Sequence, residues 1–526
     1  MSAVSKSVKG QFELLEGSNK RSGDDLRSLQ TPELVIALCG PIGSPLHDVA
    51  LNIADQLINK FGYKSCETIR MSQFIENYRA KAGLPSSEDT YKRIQNLIQS
   101  GNDMREKFGT EILAKLAIRK IAADRVPEME SSANDENDDA EARSKTDSLS
   151  LATKPLRIVH IIDSIKNQSE LDILKLVYGD LLYTIGVYAP LSLRIANLKR
   201  KGLKDAEVSQ LIDRDSGEER ETGQTVRQTF PFSDYFLRIE ERTQTEITER
   251  VERFISLILG SRPHTPTTHE MAMYSAASAA GHSACLSRQV GACVTSAEGE
   301  ILASGWNDVP RFGGGLYISD DNPNNDLRCW NKDGGKCFND EEKDFLAERV
   351  SKNLIDNEFV AAADKPRLIE SLRHDSGLRD LIEFSRSIHA EMHAILRSLQ
   401  FNGNLVVGGR IYVTTYPCHS CARHIIAAGI KEVIFIEPYR KSLAIKLHDD
   451  AISEDENAQN KVILRQYDGV APRRFMSIFK SSAERKQHGK LVTNRPILAM
   501  PVAKLTLEAV PRLEAMVVSG IDQNAL

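Results

Sequence analysis

His389-Ala390-Glu391 and Pro417-Cys418-His419-Ser420-Cys421 are the two stretches that decide how this 526-residue chain is read. Each opens a predicted helix, at about 389–399 and about 419–428, and the second follows a predicted strand at 410–415 and precedes another at 432–437. One imidazole and two thiols make a three-donor set suited to zinc. Three protein ligands leave the fourth tetrahedral position to water, which is the pattern of a catalytic rather than a structural site. With Cys418 and Cys421 in the first turn of a helix, backbone N–H groups and the positive end of the dipole lie beside the sulfurs and favour thiolates. Glu391 follows His389 by two positions, so on a regular helix the two side chains diverge by about 200°. The carboxylate is then kept off the metal and left for proton transfer. The other reading of these residues is a structural zinc knuckle, which needs a fourth protein ligand and has His393 and His419 as candidates.

Working outward, His269–Cys285 reads as an alanine-rich helix, Val290–Thr295 as a strand, Glu298-Gly299 as a turn and Ile301–Gly305 as a returning strand. Residues 311–340 look irregular. Ser261–Thr268, with two prolines and no apolar pattern, reads as a linker ending in a helix cap. Before it, Glu33–Cys39 reads as a buried strand that runs into Gly40-Pro41-Ile42-Gly43-Ser44-Pro45 and then a helix from Leu46. Helical patterns fill about 89–123, and further strands at Leu156–Asp163 and Leu182–Tyr188 alternate with helices, which predicts a mostly parallel α/β sheet. Residues 127–154 are acidic and serine-rich and read as a disordered insertion. The expected layout is a flexible N-terminus (1–32), an α/β domain (33–260), a second α/β domain (261–480) and a C-terminal extension (481–526).

The 68 Lys and Arg stand against 73 Asp and Glu, a net charge of -5, which argues against a surface built throughout for polyanions. Lys199-Arg200-Lys201 is a local basic cluster, read as a solvated helix end. The first residues lack the apolar core of a signal peptide, and no run of about 18 apolar residues is present, so the expectation is a cytoplasmic protein. Eight cysteines are too sparse for a disulfide scaffold.

In order along the chain, Ser287-Arg288-Gln289-Val290-Gly291-Ala292, Gly305-Trp306-Asn307, His389-Ala390-Glu391 and Pro417-Cys418-His419-Ser420-Cys421-Ala422 resemble the deoxycytidylate deaminase family over roughly residues 265–440. The resemblance implies a cytidine-deaminase-like three-layer αβα fold and a zinc ion held by His389, Cys418 and Cys421. It also implies Glu391 as the proton shuttle and hydrolytic deamination of dCMP or dCTP to the deoxyuridine nucleotide and ammonia. It assigns Asn307 to the sugar hydroxyl, and Arg288 is the candidate for the substrate phosphate. His393 stands where the family commonly has Asn, and its expected role is packing. Cys329 and Cys337 are candidates for a second, structural zinc, as in some members, and a homo-oligomer is implied.

In the first domain, Gly40–His47 sits where a P-loop would, between strand and helix, with Gly40, Gly43 and Ser44 as candidate nucleotide contacts. Leu46 and His47 fill the positions of the P-loop Lys and Ser/Thr, so phosphate binding rather than phosphoryl transfer is expected. Asp163 is in a Walker-B-like place, and Arg214-Asp215 with Gly223-Gln224 bears a distant likeness to nucleotide kinases. The whole is similar to two-domain bacterial deaminases in which a P-loop kinase-like domain precedes the deaminase domain. That likeness implies anti-phage defence by depletion of the deoxycytidine nucleotide pool, a regulatory nucleotide in the first domain and an inhibitory RNA partner. Two other functions fit the motifs: a polynucleotide cytidine deaminase, which needs a basic, aromatic-lined groove, and a catalytically silent nucleotide sensor.

Overall fold

The computed structural model describes residues 30–133, 157–217, 226–241, 243–319, 325–437, 442–480, 485–492, 495–503, 507 and 509–522. The chain forms two compact units, Met1–Thr265 with Met476–Leu526, and Pro266–Phe475.

In the first unit β1 (Leu34–Cys39) is six consecutive buried residues, as expected of a parallel strand covered on both faces. α1 (Leu46–Asn59) follows it. β2 (Ser65–Arg70), α2 (Met71–Lys81), α3 (Thr90–Phe108) and α4 (Ile112–Ala133) come next, then β3 (Ile158–Ile165), α5 (Gln168–Tyr178) and β4 (Leu182–Tyr188). α6 (Leu191–Arg200), α7 (Asp205–Gly217), β5 (Tyr235–Arg238) and α8 (Gln244–Ile258) complete this part. The five strands lie in the order β5-β4-β1-β3-β2 and pair in parallel throughout. The chain leaves β1 toward β2 on one side and later crosses to β4 on the other, so β1 ends at a topological switch point, where open α/β sheets place their ligands. The loop 40–45 leaves the sheet at that end.

α4 continues through Ala133, so the segment expected to be disordered from 127 begins as helix, and its remainder lies outside the described residues. Of the expected flexible N-terminus, residues 1–29 lie outside the described residues too. Thr31 is already 1% exposed and the Tyr63 hydroxyl donates to Pro32 O at 2.8 Å, so the fold begins before 33. Gly223 and Gln224 lie outside the described residues.

The second unit opens with α9 (Thr268–Ala280), whose N-cap Thr267 forms a capping box with Glu270. β6 (Gly291–Thr295) and β7 (Ile301–Trp306) pair antiparallel, and α10 (Phe338–Asp356) and α11 (Lys365–His374) follow. Then come α12 (Ala390–Asn402), β8 (Arg410–Thr415), α13 (His419–Ala427), β9 (Glu432–Glu437), β10 (Ile452–Ser453) and β11 (Val462–Gln466). The sheet order is β10-β11-β9-β8-β6-β7, antiparallel at β7-β6-β8 and parallel beyond.

Alternation along β6 builds the layers. Ala292 and Val294 share a core with Ala390 and Ala394 of α12 and with Cys421 and Ile425 of α13. Gly291 faces the opposite way, against α9, so helices cover both faces of the sheet. A β-carbon on Gly291 would fall 1.8 Å from Ala276 O, and one on Gly305 would fall 2.4 Å from Ala394 N. Only glycine allows these two helices to lie so close to the sheet.

The stretch set apart above as an extension (481–526) belongs, together with residues 476–480, to the first unit. α14 (Val510–Ser519) packs on α4 and α5. Leu507, Val510 and Ile521 join the core of Ile112, Leu116, Leu171 and Leu174. Among the described residues no helix is long and apolar enough to cross a membrane.

Candidate metal centre

Two helix starts supply the donors. His389 is the N-cap of α12, extended at φ −78° and ψ 155°, and its side chain makes no cap hydrogen bond. Cys418 is the N-cap of α13, where its sulfur accepts from Cys421 N at 3.5 Å. β8 and β9 hold the approach to α13, with Tyr416 N donating to Glu437 O at 2.9 Å. The His389 Nδ1 atom lies 3.2 Å from Cys421 Sγ and 3.4 Å from Cys418 Sγ. Zinc bonds of about 2.3 Å to sulfur and about 2.0 Å to nitrogen at tetrahedral angles set ligand atoms roughly 3.5 Å apart, so the spacing and donor set suit that ion.

His389 stands outside the helix, so its separation from Glu391 comes from the cap and not from the 200° step expected of a regular helix. The result is similar: Glu391 is 3% exposed and is absent from the trio of donor atoms that lie within 4.8 Å of one another. Neither His393 nor His419 joins that trio among the described residues. His393 is buried against Trp306, its Nδ1 3.2 Å from Trp306 N and O, and burial pushes its imidazole down to about 4. The expected packing role is the one its surroundings describe.

The charges within the site are interdependent. A hydrogen bond from Cys421 and the adjacent His389 imidazole hold the Cys418 thiol down to about 4, and the same thiolate raises His389 to about 9. Burial raises the Glu391 carboxyl above the ordinary range, opposed by His389. A metal ion binds the thiolate and the neutral imidazole, so it would take the place of the proton these donors share.

A cavity of about 330 Å³ opens onto His389, Glu391 and Cys418 and is also lined by Arg288, Asn307 and Arg386. The Asn307 amide is anchored at both ends: its Oδ1 accepts from Val290 N and its Nδ2 donates to Arg288 O, each at 2.8 Å. One lone pair and one N–H remain for another partner. Arg288 is bound to Glu437. Cys329 and Cys337 line the same cavity, together with Cys285, but among the described residues they enter no three-donor group. Arg386, in Ser385-Arg386-Ser387 just before His389, was not read from the sequence as a site residue, although its place beside the motif is visible there.

A second three-donor group, Glu67, Asp124 and His160 in the first unit, already has a positive charge beside it. Lys120 Nζ lies 3.0 Å from Glu67 and 3.3 Å from Asp124.

The loop after β1 is bound by the unit's own side chains. Ile42 N donates to Asp215 Oδ2 at 2.8 Å. The carbonyls of Gly40, Ile42 and Gly43 accept from Lys166, Arg194 and Asn197 at 2.8, 2.7 and 2.8 Å. Gly43 holds φ +86°, and the Ser44 hydroxyl has no hydrogen-bond partner among the described residues. Asp163 lies 3.7 Å from His47, and burial raises its carboxyl despite that neighbour. Gly40, Gly43, Ser44 and Asp163 are thus near one strand end. Lys166, Arg194 and Asn197 were not legible as loop partners, since nothing local marks contacts more than 120 residues away.

Residues 266–437 match the family model described as the cytidine and deoxycytidylate deaminase zinc-binding region. The match lies within the second unit, and the cofactor is zinc. The chain is 29% identical over 163 residues to the deoxycytidylate deaminase of Enterobacteria phage T4, covering 30% of this chain and 72% of that protein. The deoxycytidylate deaminase of Mus musculus is 29% identical over 189 residues, 36% of this chain and 68% of its own length. ComE operon protein 2 of Bacillus subtilis is 52% identical over 56 residues, 11% of this chain and 29% of that protein. A crystal structure of dCMP deaminase from cyanophage S-TIM5 in complex with dCMP and dUMP aligns at 20% identity and a TM-score of 0.23, covering 39% of this chain and 98% of that one.

Proposed function

We propose that this protein is a zinc-dependent hydrolytic deaminase that converts a deoxycytidine nucleotide, dCMP or dCTP, to the deoxyuridine nucleotide and ammonia. The observation that carries the reading is the trio of His389 Nδ1, Cys418 Sγ and Cys421 Sγ, of which His389 and Cys418 line one cavity together with buried Glu391. His389, Cys418 and Cys421 would hold the zinc, which when bound supplies a Lewis acid that makes water a nucleophile at neutral pH. Glu391 takes the two protons of the attacking water in turn and passes one to the ring nitrogen and one to the departing amino group, as the C4–O bond forms and the C4–N bond breaks. Its raised proton affinity suits it to hold a proton between these steps. Asn307 retains one donor and one acceptor for the sugar hydroxyl.

The first unit is read as a P-loop kinase-like nucleotide-binding regulator. Support comes from the parallel sheet, the loop at its switch point and the side chains gathered there. With Leu46 and His47 at the catalytic positions, it binds phosphates rather than transferring them. The anti-phage role and an inhibitory RNA follow from the resemblance alone.

The test is chromatographic product analysis with dCMP, dCTP, CMP, CTP and a cytosine-containing single-stranded oligonucleotide, beside Glu391→Ala. Conversion of one free deoxynucleotide, lost in Glu391→Ala by about 10²–10⁴-fold or more, is expected. Activity confined to the oligonucleotide would favour the polynucleotide deaminase. Stable nucleotide binding with full zinc and no product would favour the silent sensor.

A further inference from the structure

The two arginines that line the cavity differ in what balances their charge. Arg288 is 54% exposed at its side chain and is tied to the Glu437 carboxylate. Arg386 has no carboxylate within ion-pair distance among the described residues. Its guanidinium donates to Leu327 O at 3.3 Å, is hydrogen-bonded to the Cys329 thiol and lies 4.8 Å from the centre of the Phe338 ring, neutral partners that fix its position and leave its charge without a carboxylate. Lys336 lies over the same ring at 4.8 Å, but it is bonded to Glu341 at 2.7 Å.

The chain also places Arg386 within reach of the reacting end. It precedes His389 by three residues, so their Cα atoms are at most about 11 Å apart. Ser385 and Ser387 beside it line the same cavity and add hydroxyl groups. A planar cation held in place with free N–H edges, flanked by hydroxyls, is suited to recognise a phosphate through paired hydrogen bonds. A phosphate approaching Arg288 must first displace Glu437.

We infer that Arg386 reads the 5′-phosphate of the nucleotide whose base lies at the His389–Cys418–Cys421 trio, and so makes the site select a nucleotide over a nucleoside. This rests on the deaminase reading above for the identity of the base. Arg288, the residue expected from the sequence, is then a rim residue held by Glu437.

The experiment uses the full zinc-loaded chain as wild type, Arg386→Gln, Arg386→Lys, Arg288→Gln and Lys336→Gln. Turnover and calorimetric binding are measured for dCMP and for deoxycytidine. Arg386→Gln is expected to lower the dCMP-to-deoxycytidine ratio of kcat/KM, and of affinity, on the order of 30-fold. Arg386→Lys should recover part of that loss, and Lys336→Gln should leave the ratio unchanged. An equal loss on both substrates would mean that Arg386 only holds the loop. That result, an unchanged ratio, or a loss in Arg288→Gln as large as in Arg386→Gln overturns the assignment. If the wild type turns over neither substrate but binds dCMP in a way that needs Arg386, the deaminase reading fails and the phosphate assignment stands. If it binds neither, both fall.

Discussion

The metal trio of the second unit and the glycine loop of the first begin from the same device, a chain that reaches a helix N-terminus in a tight turn. They end differently. At His389 and Cys418 the caps hold the backbone while the His389 side chain makes no cap bond and the thiols converge on it at 3.2 and 3.4 Å. At Gly40–Gly43 the Ile42 amide and the carbonyls of Gly40, Ile42 and Gly43 are bonded to Asp215, Lys166, Arg194 and Asn197. The same strand–turn–helix device therefore presents converging side-chain donors in one unit and a largely engaged backbone in the other. What matters is whether the rest of the fold leaves its polar atoms unengaged.

The sharpest way to break this comparison is Cys421→Ser. Loss of a buried thiolate ligand should reduce zinc content from one per chain toward zero and abolish turnover, measured by metal analysis and product formation. Full zinc retention would mean that the trio is not the binding site. Next in size is Glu170→Gln in the first unit. Glu170 is fully buried, pairs with Arg105 at 2.8 Å and accepts from Lys166 N at 3.0 Å. Breaking a buried pair costs about 3–5 kcal/mol, so the denaturation midpoint should fall clearly, and a change of under about 1 kcal/mol would show that the pair is dispensable.

A smaller effect is expected at Asp215, which lies 3.6 Å from Arg194 and 3.9 Å from Lys166. Asp215→Asn should cost about 1–3 kcal/mol, and millimolar pyrophosphate should restore part of the lost melting temperature in the variant more than in the wild type. If pyrophosphate has no effect, the likeness of this loop to a phosphate cradle is only geometrical. Smallest is the acid response of Asp326. Arg328 holds its carboxyl below the usual value through hydrogen bonds and charge. Its folded-state proton affinity is lowered, so its contribution is present above the ordinary carboxylate range and is lost as pH falls through the depressed value. Asp326→Asn should therefore lower the melting temperature at pH 7 and flatten its decline below about pH 4, as read by thermal melts across pH.

Much of this comparison was legible in the sequence where the physics is local. β1, β3 and β4 are buried apolar runs bounded by turn residues, and the two metal motifs sit at helix starts marked by their own residue types. Less visible were β2, an edge strand with one buried residue in Ser-Cys-Glu-Thr-Ile-Arg, and β5, only four residues long. α10 and α11 are rich in charged residues and have few buried positions, so no apolar stripe announced them. The bond between Ile42 and Asp215 spans 173 residues. Arg386 lay beside a recognised motif, but its importance depends on a missing carboxylate, which only packing reveals.

The return of residues 476–526 to the first unit places the second unit inside it along the chain. During synthesis, the ribosome reaches Leu507 long after Ile258, an interval on the order of ten to fifty seconds at typical elongation rates. Through that time the face of α4 and α5 that will receive Leu507, Val510 and Ile521 has no cover from its own chain. All the residues of the metal-binding region are therefore made before the last core residues of the first unit.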